Sequence, residues 1–395
     1  MIKPIGGRME CSKMKNIVVL GAGFAGLEAA RTLSKRKQAL CGYRIILIDK
    51  KTTSDFLPIL PDVVSGRIDP QNARAVIRAS LNSQYVEFIN DEAVSVDLKS
   101  KYIYLSKGTN LSYDYLILAV GSETNFFNRP DFVNVVYRID EVVDAVKLKD
   151  KLKSLQSKTI LVIGGGYTGV EVSTAVARLF KQMNLPAGDI YIVDVAKDIL
   201  GPLPEWMKNY VRANFVKQKI NILTGVSLES YDGKKAILSD GREFSDAVVI
   251  WAPGVKAPAL VANLGLKSDR QSRLLTDKFL SVAPGVYAAG DCAAFAYKDK
   301  ILRMAVQFSI FQARVAAMNV CREISGRNKL EYKPVDLGYV VPMANKTACG
   351  EILGIRVKGF VAWLMHWFMC IYRSQDSKAR FGILKDLICG GGKNR

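Results

Sequence analysis

The sequence predicts an α/β protein with two dinucleotide-binding domains, the first split by insertion of the second, followed by a C-terminal helical segment. Three observations carry that prediction. The first is a strand–turn–helix–strand device near the start: the buried run 16–20, the turn Gly21-Ala22-Gly23-Phe24-Ala25-Gly26, an apolar-periodic helix from Leu27, and a strand over 44–48 ending on Asp49. The second is a repeat of the device, with a strand over 159–163, the turn Gly164-Gly165-Gly166-Tyr167-Thr168-Gly169, a helix from Val170, and a strand over 189–193 ending on Asp194. The third is an aromatic-rich apolar run over 359–372, followed by a basic apolar segment over 378–389.

Each residue type in the device has a physical reason. The first glycine permits a tight turn, the second lets backbone approach a pyrophosphate, and the third lets the helix lie close on the strand. The helix N-terminus then faces the phosphates. Gly21, Gly23 and Gly26 take these places in the first copy, and Gly164, Gly166 and Gly169 in the second. Asp49 and Asp194 stand where a carboxylate accepts hydrogen bonds from ribose hydroxyls. Asp194 favours NADH over NADPH, because a carboxylate repels a 2′-phosphate; its other use is to cap the following turn. Two such sites in one chain bring two nucleotides together for hydride transfer.

The intervening elements set the expected boundaries. A proline-punctuated loop over 50–61 follows Asp49, and apolar alternation at 85–89, 93–97 and 102–105 suggests short antiparallel strands. A buried strand ends on Ala119-Val120-Gly121-Ser122, where Gly121 lets backbone pass close to a ligand. A helix is expected near 140–155, and a strand over 286–289 delivers Gly290-Asp291 to the start of a later helix. There Asp291 can bond a ribityl or pyrophosphate oxygen. That later helix spans 305–324 and carries Gln307 and Gln312 near its start. The domains are therefore drawn at 14–124 (first nucleotide domain, first part), 125–270 (second nucleotide domain), 271–330 (first domain, second part) and 331–395 (C-terminal region).

Composition narrows the classes. A chain of 395 residues is too long for one core. Its 49% hydrophobic and 24% charged content describes a globular protein rather than a disordered one. The net charge of +19 suits either an anionic surface or a Lys-rich solvated exterior. Apart from Lys35-Arg36-Lys37, no basic run lies among exposed-type aromatics before the C-terminus, so nucleic acid is not expected. The seven cysteines show no C-x-x-C pair and no metal-ligand spacing, which fits free thiols in a reducing compartment and no metal. Residues 1–15 are polar and basic and read as no secretory signal. The run over 359–372 is too short to cross ~30 Å of hydrocarbon, which takes ~20 residues. With its basic successor it reads as an amphipathic pair lying in a membrane interface, or packed on the core or a second copy.

In order, Gly-Ala-Gly-Phe-Ala-Gly, Tyr113-Asp114-Tyr115-Leu116-Ile117-Leu118-Ala119-Val120-Gly121-Ser122, Gly-Gly-Gly-Tyr-Thr-Gly-Val-Glu, Trp251-Ala252-Pro253-Gly254-Val255 and Tyr287-Ala288-Ala289-Gly290-Asp291 resemble the two-dinucleotide-binding flavoprotein oxidoreductases. Within these the chain is most similar to type II NADH:quinone oxidoreductases, through Thr168-Gly169-Val170-Glu171, the helix from Gln307, the 58–66 segment and the aromatic-basic C-terminus. The resemblance implies a Rossmann-like FAD domain holding an inserted NAD domain, with a membrane-associating C-terminus. It implies a peripheral, monotopic enzyme on the cytoplasmic face of the cell membrane, often a homodimer, that passes two electrons from NADH through FAD to membrane quinone. Gly21, Gly23, Gly26, Asp49, Gly121 and Asp291 would hold FAD, and Gly164, Gly166, Gly169 and Asp194 would hold NADH. Residues 359–389 would meet the lipid surface.

Glu171 and Gln307 match the family's catalytic positions, the first linked to proton supply and the second beneath the flavin at the quinone pocket. The apolar neighbours Val170, Val172, Ala175 and Val176 suggest that Glu171 is buried, which raises a carboxyl pKa. An acid in the first turn also suits the helix dipole. The chain departs from the family's pattern in three places: Val306 precedes Gln307, Phe311 replaces the first of two glutamines and leaves Gln312, and the loop histidine position is Ser54 or Asp55. These weaken the polar grip on a quinone carbonyl. Sulfide:quinone oxidoreductases share the architecture but need paired thiols beside the flavin, whereas no cysteine lies between Cys41 and Cys292. Ferredoxin and rubredoxin reductases give no reason for the aromatic C-terminus. A redox-dependent flavoprotein binding module is the reading from another class.

Overall fold

The computed structural model describes residues 14–82, 84–154, 159–184, 189–374 and 376–389. The N-terminal segment with Cys11, the expected helix end at 155 and the tail beyond Cys389 lie outside the described residues. The chain forms two compact units. The first joins the residues up to Thr52 with Ile77–Gly121 and Ala257–Pro334; the second joins Thr53–Val76, Ser122–Lys256 and the chain from Val335. Residues 53–76, drawn from sequence with the first nucleotide domain, thus group with the second unit. Their bonds explain it: the Asp55 carboxylate accepts from the Val142 amide at 3.1 Å and pairs with Arg74.

In the first unit a six-stranded sheet runs in the order Ser281–Ala283, Val286–Ala288, Tyr115–Leu118, Lys15–Leu20, Tyr43–Asp49, Val86–Asn90. All neighbours are parallel except the first pair. The apolar alternation over 85–89 therefore belongs to a parallel edge strand, and not to an antiparallel one as its pattern suggested. The antiparallel sheet comprises Ala93–Asp97, Tyr102–Leu105 and Asn110–Ser112. Both faces of the parallel sheet are covered, as parallel sheets require. Ile17, Val19 and Leu47 meet the alanine-rich faces of helices Phe24–Ser34 and Val306–Ile324 on one side. Val18, Leu20, Ile46 and Ile48 meet Ile103, Leu105 and Tyr113 on the other.

In the second unit the order Ile220–Thr224, Asp189–Asp194, Thr159–Ile163, Ala247–Trp251 makes a four-stranded parallel sheet. Helix Tyr167–Gln182 follows its glycine turn, and helix Val142–Lys153 packs against the short helix Leu60–Val64. Past residue 335 the chain adds an antiparallel sheet (Gly338–Met343, Thr347–Ile352, Ile355–Lys358) that the sequence reading did not foresee, then helices Gly359–Arg373 and Ser377–Cys389. The last helix is tied down by a buried acid: the Asp386 carboxylate accepts from the Asp69 amide at 2.8 Å and from Asn72 Nδ2 at 2.7 Å. Hydrogen bonds to a charged acceptor are worth about 1.5–3 kcal/mol, so Asp386→Ala is expected to destabilise the second unit by roughly that much. Amide exchange should then rise selectively over 377–389, and an unchanged exchange pattern would show that apolar packing alone holds this helix.

Candidate dinucleotide sites and a buried acid cluster

The two glycine turns are nearly superimposable in their logic. Gly21 and Gly164 sit at φ +95° and +109°, and a Cβ on either would lie 2.4 Å from a backbone carbonyl oxygen, of Ala119 and Ala252 respectively. A Cβ on Gly26 would come within 1.7 Å of the Gly21 carbonyl oxygen, and one on Gly169 within 1.8 Å of the Gly164 oxygen. The close partner of the third glycine is thus the turn itself. Gly23 and Gly166 are the N-caps of the two helices; neither carries a side-chain cap, and a Cβ on either would meet nothing within 4 Å.

Each second-strand carboxylate braces its turn. Asp49 accepts from the amides of Ala22 at 2.6 Å and Lys51 at 2.8 Å. Asp194 accepts from the amides of Gly165 at 2.5 Å and Ala196 at 2.7 Å. The turn-capping use of Asp194 is therefore present, together with a bond to the glycine loop. A carboxylate offers about four lone-pair sites, which leaves acceptor capacity for a ribose.

Gly121, also in the first unit, has φ +71° and open space where a Cβ would stand. Gly290-Asp291 does not lead directly into the later helix as expected. A single 3₁₀ turn, Gly290–Cys292, and a short hairpin intervene before Val306–Ile324. The helix returns beside it: Gln312 Oε1 accepts from the Gly290 amide at 2.8 Å, and Ser309 Oγ lies 3.5 Å from Asp291 Oδ1. Gln312, expected as the remnant of a quinone-binding pair, spends its carbonyl on the Asp291 turn. Gln307 is buried on the same helix, and Phe311 packs on the core beneath it.

Glu171 is the fifth residue of helix Tyr167–Gln182, so it stands in the second turn, and the first-turn dipole argument does not apply to it. It lines a small cavity with Pro58, Pro61, Asp62, Arg67 and Ala175, all in the second unit. Glu171 is half-buried rather than buried as expected, and the loss of water around its carboxyl in this cavity pushes it up to about 8, with the Asp62 charge adding to the rise. Asp62 is buried and pairs with Arg67 Nη1 at 2.5 Å. Burial raises the Asp62 carboxyl too, with Arg67 and Arg178 opposing. Arg67 also donates to the Ala344 carbonyl and lies 5.6 Å and 6.0 Å from the ring centroids of Trp363 and Trp367. His366, the chain's one histidine, is held neutral by burial down to about 4, and its Nε2 lies 3.4 Å from Cys370 Sγ. Sequence reasoning missed this cluster; its one local signal is a charged residue, Asp62, inside the apolar run 57–64.

A model of the pyridine nucleotide-disulphide oxidoreductase family matches residues 15–319. The chain belongs to this family. Among similar proteins, a type II NADH:quinone oxidoreductase of Haemophilus influenzae is 23% identical over 86% of this chain and 87% of its own. A demethylphylloquinone reductase of Synechocystis is 27% identical over 90% of this chain and 91% of its own. The NDH2 structure from Plasmodium falciparum, solved with NADH, superposes with a TM-score of 0.81 at 20% identity, covering 95% of this chain and 98% of that one. The likeness to that structure extends beyond the family model into the C-terminal region.

A pyridine nucleotide-disulphide oxidoreductase needs two dinucleotide cradles, and the described residues fit both. Uncapped helix N-termini with open glycine N-caps leave room and partial positive charge for pyrophosphate. Glu171 gives a test that needs no ligand. Unfolding returns its carboxyl to the ordinary 4.5, so between 4.5 and about 8 the folded chain binds a proton that the unfolded chain does not. Its contribution to stability is fully present below 4.5 and is lost as pH rises through that window. Thermal melts from about pH 5 to 9 should show this loss, and Glu171→Gln should flatten it. Parallel curves for the two proteins would mean that Glu171 ionises normally.

Proposed function

We propose that this chain is an NADH:quinone oxidoreductase of the type II kind, passing two electrons from NADH through FAD to a membrane quinone. The observation that carries the reading is an acid, Glu171, on the helix that the second nucleotide cradle opens, lining a cavity with Asp62 and Arg67. The quinone-reductase names of the relatives support it. Gly21, Gly23, Gly26, Asp49, Gly121 and Asp291 would hold FAD; Gly164, Gly166, Gly169 and Asp194 would hold NADH. When bound, these cofactors supply the hydride and electron-transfer chemistry. The protein's part is placement and proton supply. Quinone reduction consumes two protons, and a carboxyl poised near the working pH can deliver one, a contribution of typically 10²–10⁴-fold. Gln307 is the candidate polar contact in the first unit.

A sulfide-oxidising reading needs a reactive thiol pair. All six described cysteines are free, and burial pushes the Cys292 thiol up to about 12, with its sulfur directed at the Leu118 and Ala289 carbonyls. That is an inert thiol. The deciding assay offers the purified protein NADH with a quinone analogue, ferredoxin or oxygen, and separately sulfide as donor. Quinone-dependent NADH oxidation is expected, with NADH preferred over NADPH. Asp194→Ala should narrow that preference and raise KM for both nucleotides, because the carboxylate also braces Gly165 and Ala196. Equal rates with both nucleotides in the parent would overturn the assigned role of Asp194.

Membrane attachment is proposed through the C-terminal helices. No described helix is long and apolar enough to cross a membrane. Helix Gly359–Arg373 exposes Phe360, Leu364, Phe368 and Tyr372 along one face while Trp363, Trp367 and Cys370 are buried on another. Helix Ser377–Cys389 exposes Phe381, Leu384 and Ile388 among Lys378, Arg380 and Lys385. An apolar face rimmed by cations suits an anionic lipid interface. The triple variant Phe360→Ser, Leu364→Ser, Phe368→Ser should lose co-sedimentation with anionic vesicles while keeping bound FAD. Undiminished co-sedimentation would sink the model, and a concentration-dependent mass would point instead to a second copy on this face.

A further inference from the structure

Helix Leu60–Val64 carries Pro61 in its first turn, and its Asp62 side chain is buried. Arg67, five residues on, is buried as well and holds that carboxylate at 2.5 Å. Three elements fix the guanidinium: Asp62, the Ala344 carbonyl, and the indoles of Trp363 and Trp367 on helix Gly359–Arg373. Glu171 lines the same cavity. Unlike Asp62, it has no basic side chain at ion-pair distance among the described residues.

Two carboxyls lining one small cavity cannot both ionise cheaply, so one proton is retained between them. Which carboxyl keeps it is decided by the cation. A charge-assisted bond from a fixed arginine favours the ionised form of its partner. We propose that Asp62 is a positioning residue for proton supply: ionised and locked to Arg67, it places a fixed negative charge beside Glu171 and so assigns the shared proton to Glu171. This rests on the reading of Glu171 as the acid that serves quinone reduction.

The surroundings set the sign of the test. From its own helix Arg178 faces Asp62. From helix Gly359–Arg373, His366 faces Arg67 and Arg373, and Cys370 faces Asp62, Glu171 and Arg373. His366 and Cys370 are both held neutral by burial, so they do not offset the Asp62 charge. Removing the anion should therefore lower the pH at which Glu171 ionises, and removing the cation should lower it too, because a buried Asp62 without its arginine takes up the proton and loses its charge.

The experiment uses the full chain as purified with its bound cofactor. Infrared difference spectra across pH would follow the C=O stretch of the protonated carboxyl, assigned by its loss in Glu171→Gln. The midpoint should fall by about one pH unit or more in Asp62→Asn, fall also in Arg67→Met, and return towards the parent in Arg67→Lys. The pH profile of quinone turnover should move in the same directions. An unmoved midpoint in Asp62→Asn, or a midpoint that rises or stays put in Arg67→Met, would overturn the proposal. If Asp62→Asn does not fold, Arg67→Met against Arg67→Lys decides it alone, since a merely structural arginine would not move the midpoint. Downward shifts in both variants of a protein that does not reduce quinone would keep the carboxyl pair and discard the quinone reading.

Discussion

Whether either nucleotide cradle exists depends on a contact between backbones that any Cβ would prevent. The α-carbon of Gly26 rests on the carbonyl of Gly21, and that of Gly169 on the carbonyl of Gly164, at distances that would put a Cβ within 1.8 Å of oxygen or closer. The contact draws the first helical turn back over the strand end. That placement aims the free amides of the helix, which carry roughly half a unit of positive charge, at one point in front of each N-cap glycine. The carboxylates of Asp49 and Asp194 then stop the turn from relaxing, since each bonds one amide in the glycine loop and one just past its own strand. An acid introduced by the ribose argument turns out to be a structural brace with acceptor capacity left over.

These devices were legible because everything they need lies within about thirty residues: a period-two strand, glycines at fixed spacing, a helix and a second strand. What lay outside that range was not. The alternation over 85–89 reported which faces are buried, and it could not report that the neighbouring strand, Tyr43–Asp49, runs parallel. The helix after Gly166 was started at its first apolar residue, although Tyr167–Gly169 already adopt helical geometry, and this placed Glu171 a turn too early. The attachment of residues 53–76 to the second unit rests on Asp55 meeting Val142 and on Asp69 meeting Asp386, pairs separated by 87 and 317 positions. No local pattern encodes such pairs. Gln312 was read as a ligand contact because a motif places it there, yet its bond to Gly290 shows the same residue serving the fold.

Burying Arg67 and Asp62 is costly, and their mutual attraction alone rarely offsets the loss of water. The remaining compensation comes from the Ala344 carbonyl and from two aromatic faces, so the pair is stable only while the C-terminal sheet and helix are in place. Thr174 strengthens that dependence: its hydroxyl donates to the Glu171 carbonyl at 2.9 Å and accepts from the Ala344 amide at 3.0 Å. Glu171 and the turn that holds Arg67 are thereby joined through one side chain.

It follows that helix Gly359–Arg373 has two separate physical duties. Its exposed stripe of Phe360, Leu364 and Phe368 is the kind of surface an interface with lipid removes from water, while Trp363 and Trp367 on its buried face complete the environment of a guanidinium. A rigid helix cannot move one face without the other. Whatever seats the outer stripe also fixes the indoles over Arg67, and Arg67 fixes the charge of Asp62. The acid at Glu171 therefore senses the C-terminal helix electrostatically, through Asp62, without touching the surface that would lie against a membrane. On the proposed reading of Glu171, such an arrangement would tie proton supply to the element that would bring the protein to a membrane quinone, using packing and one ion pair and no large movement.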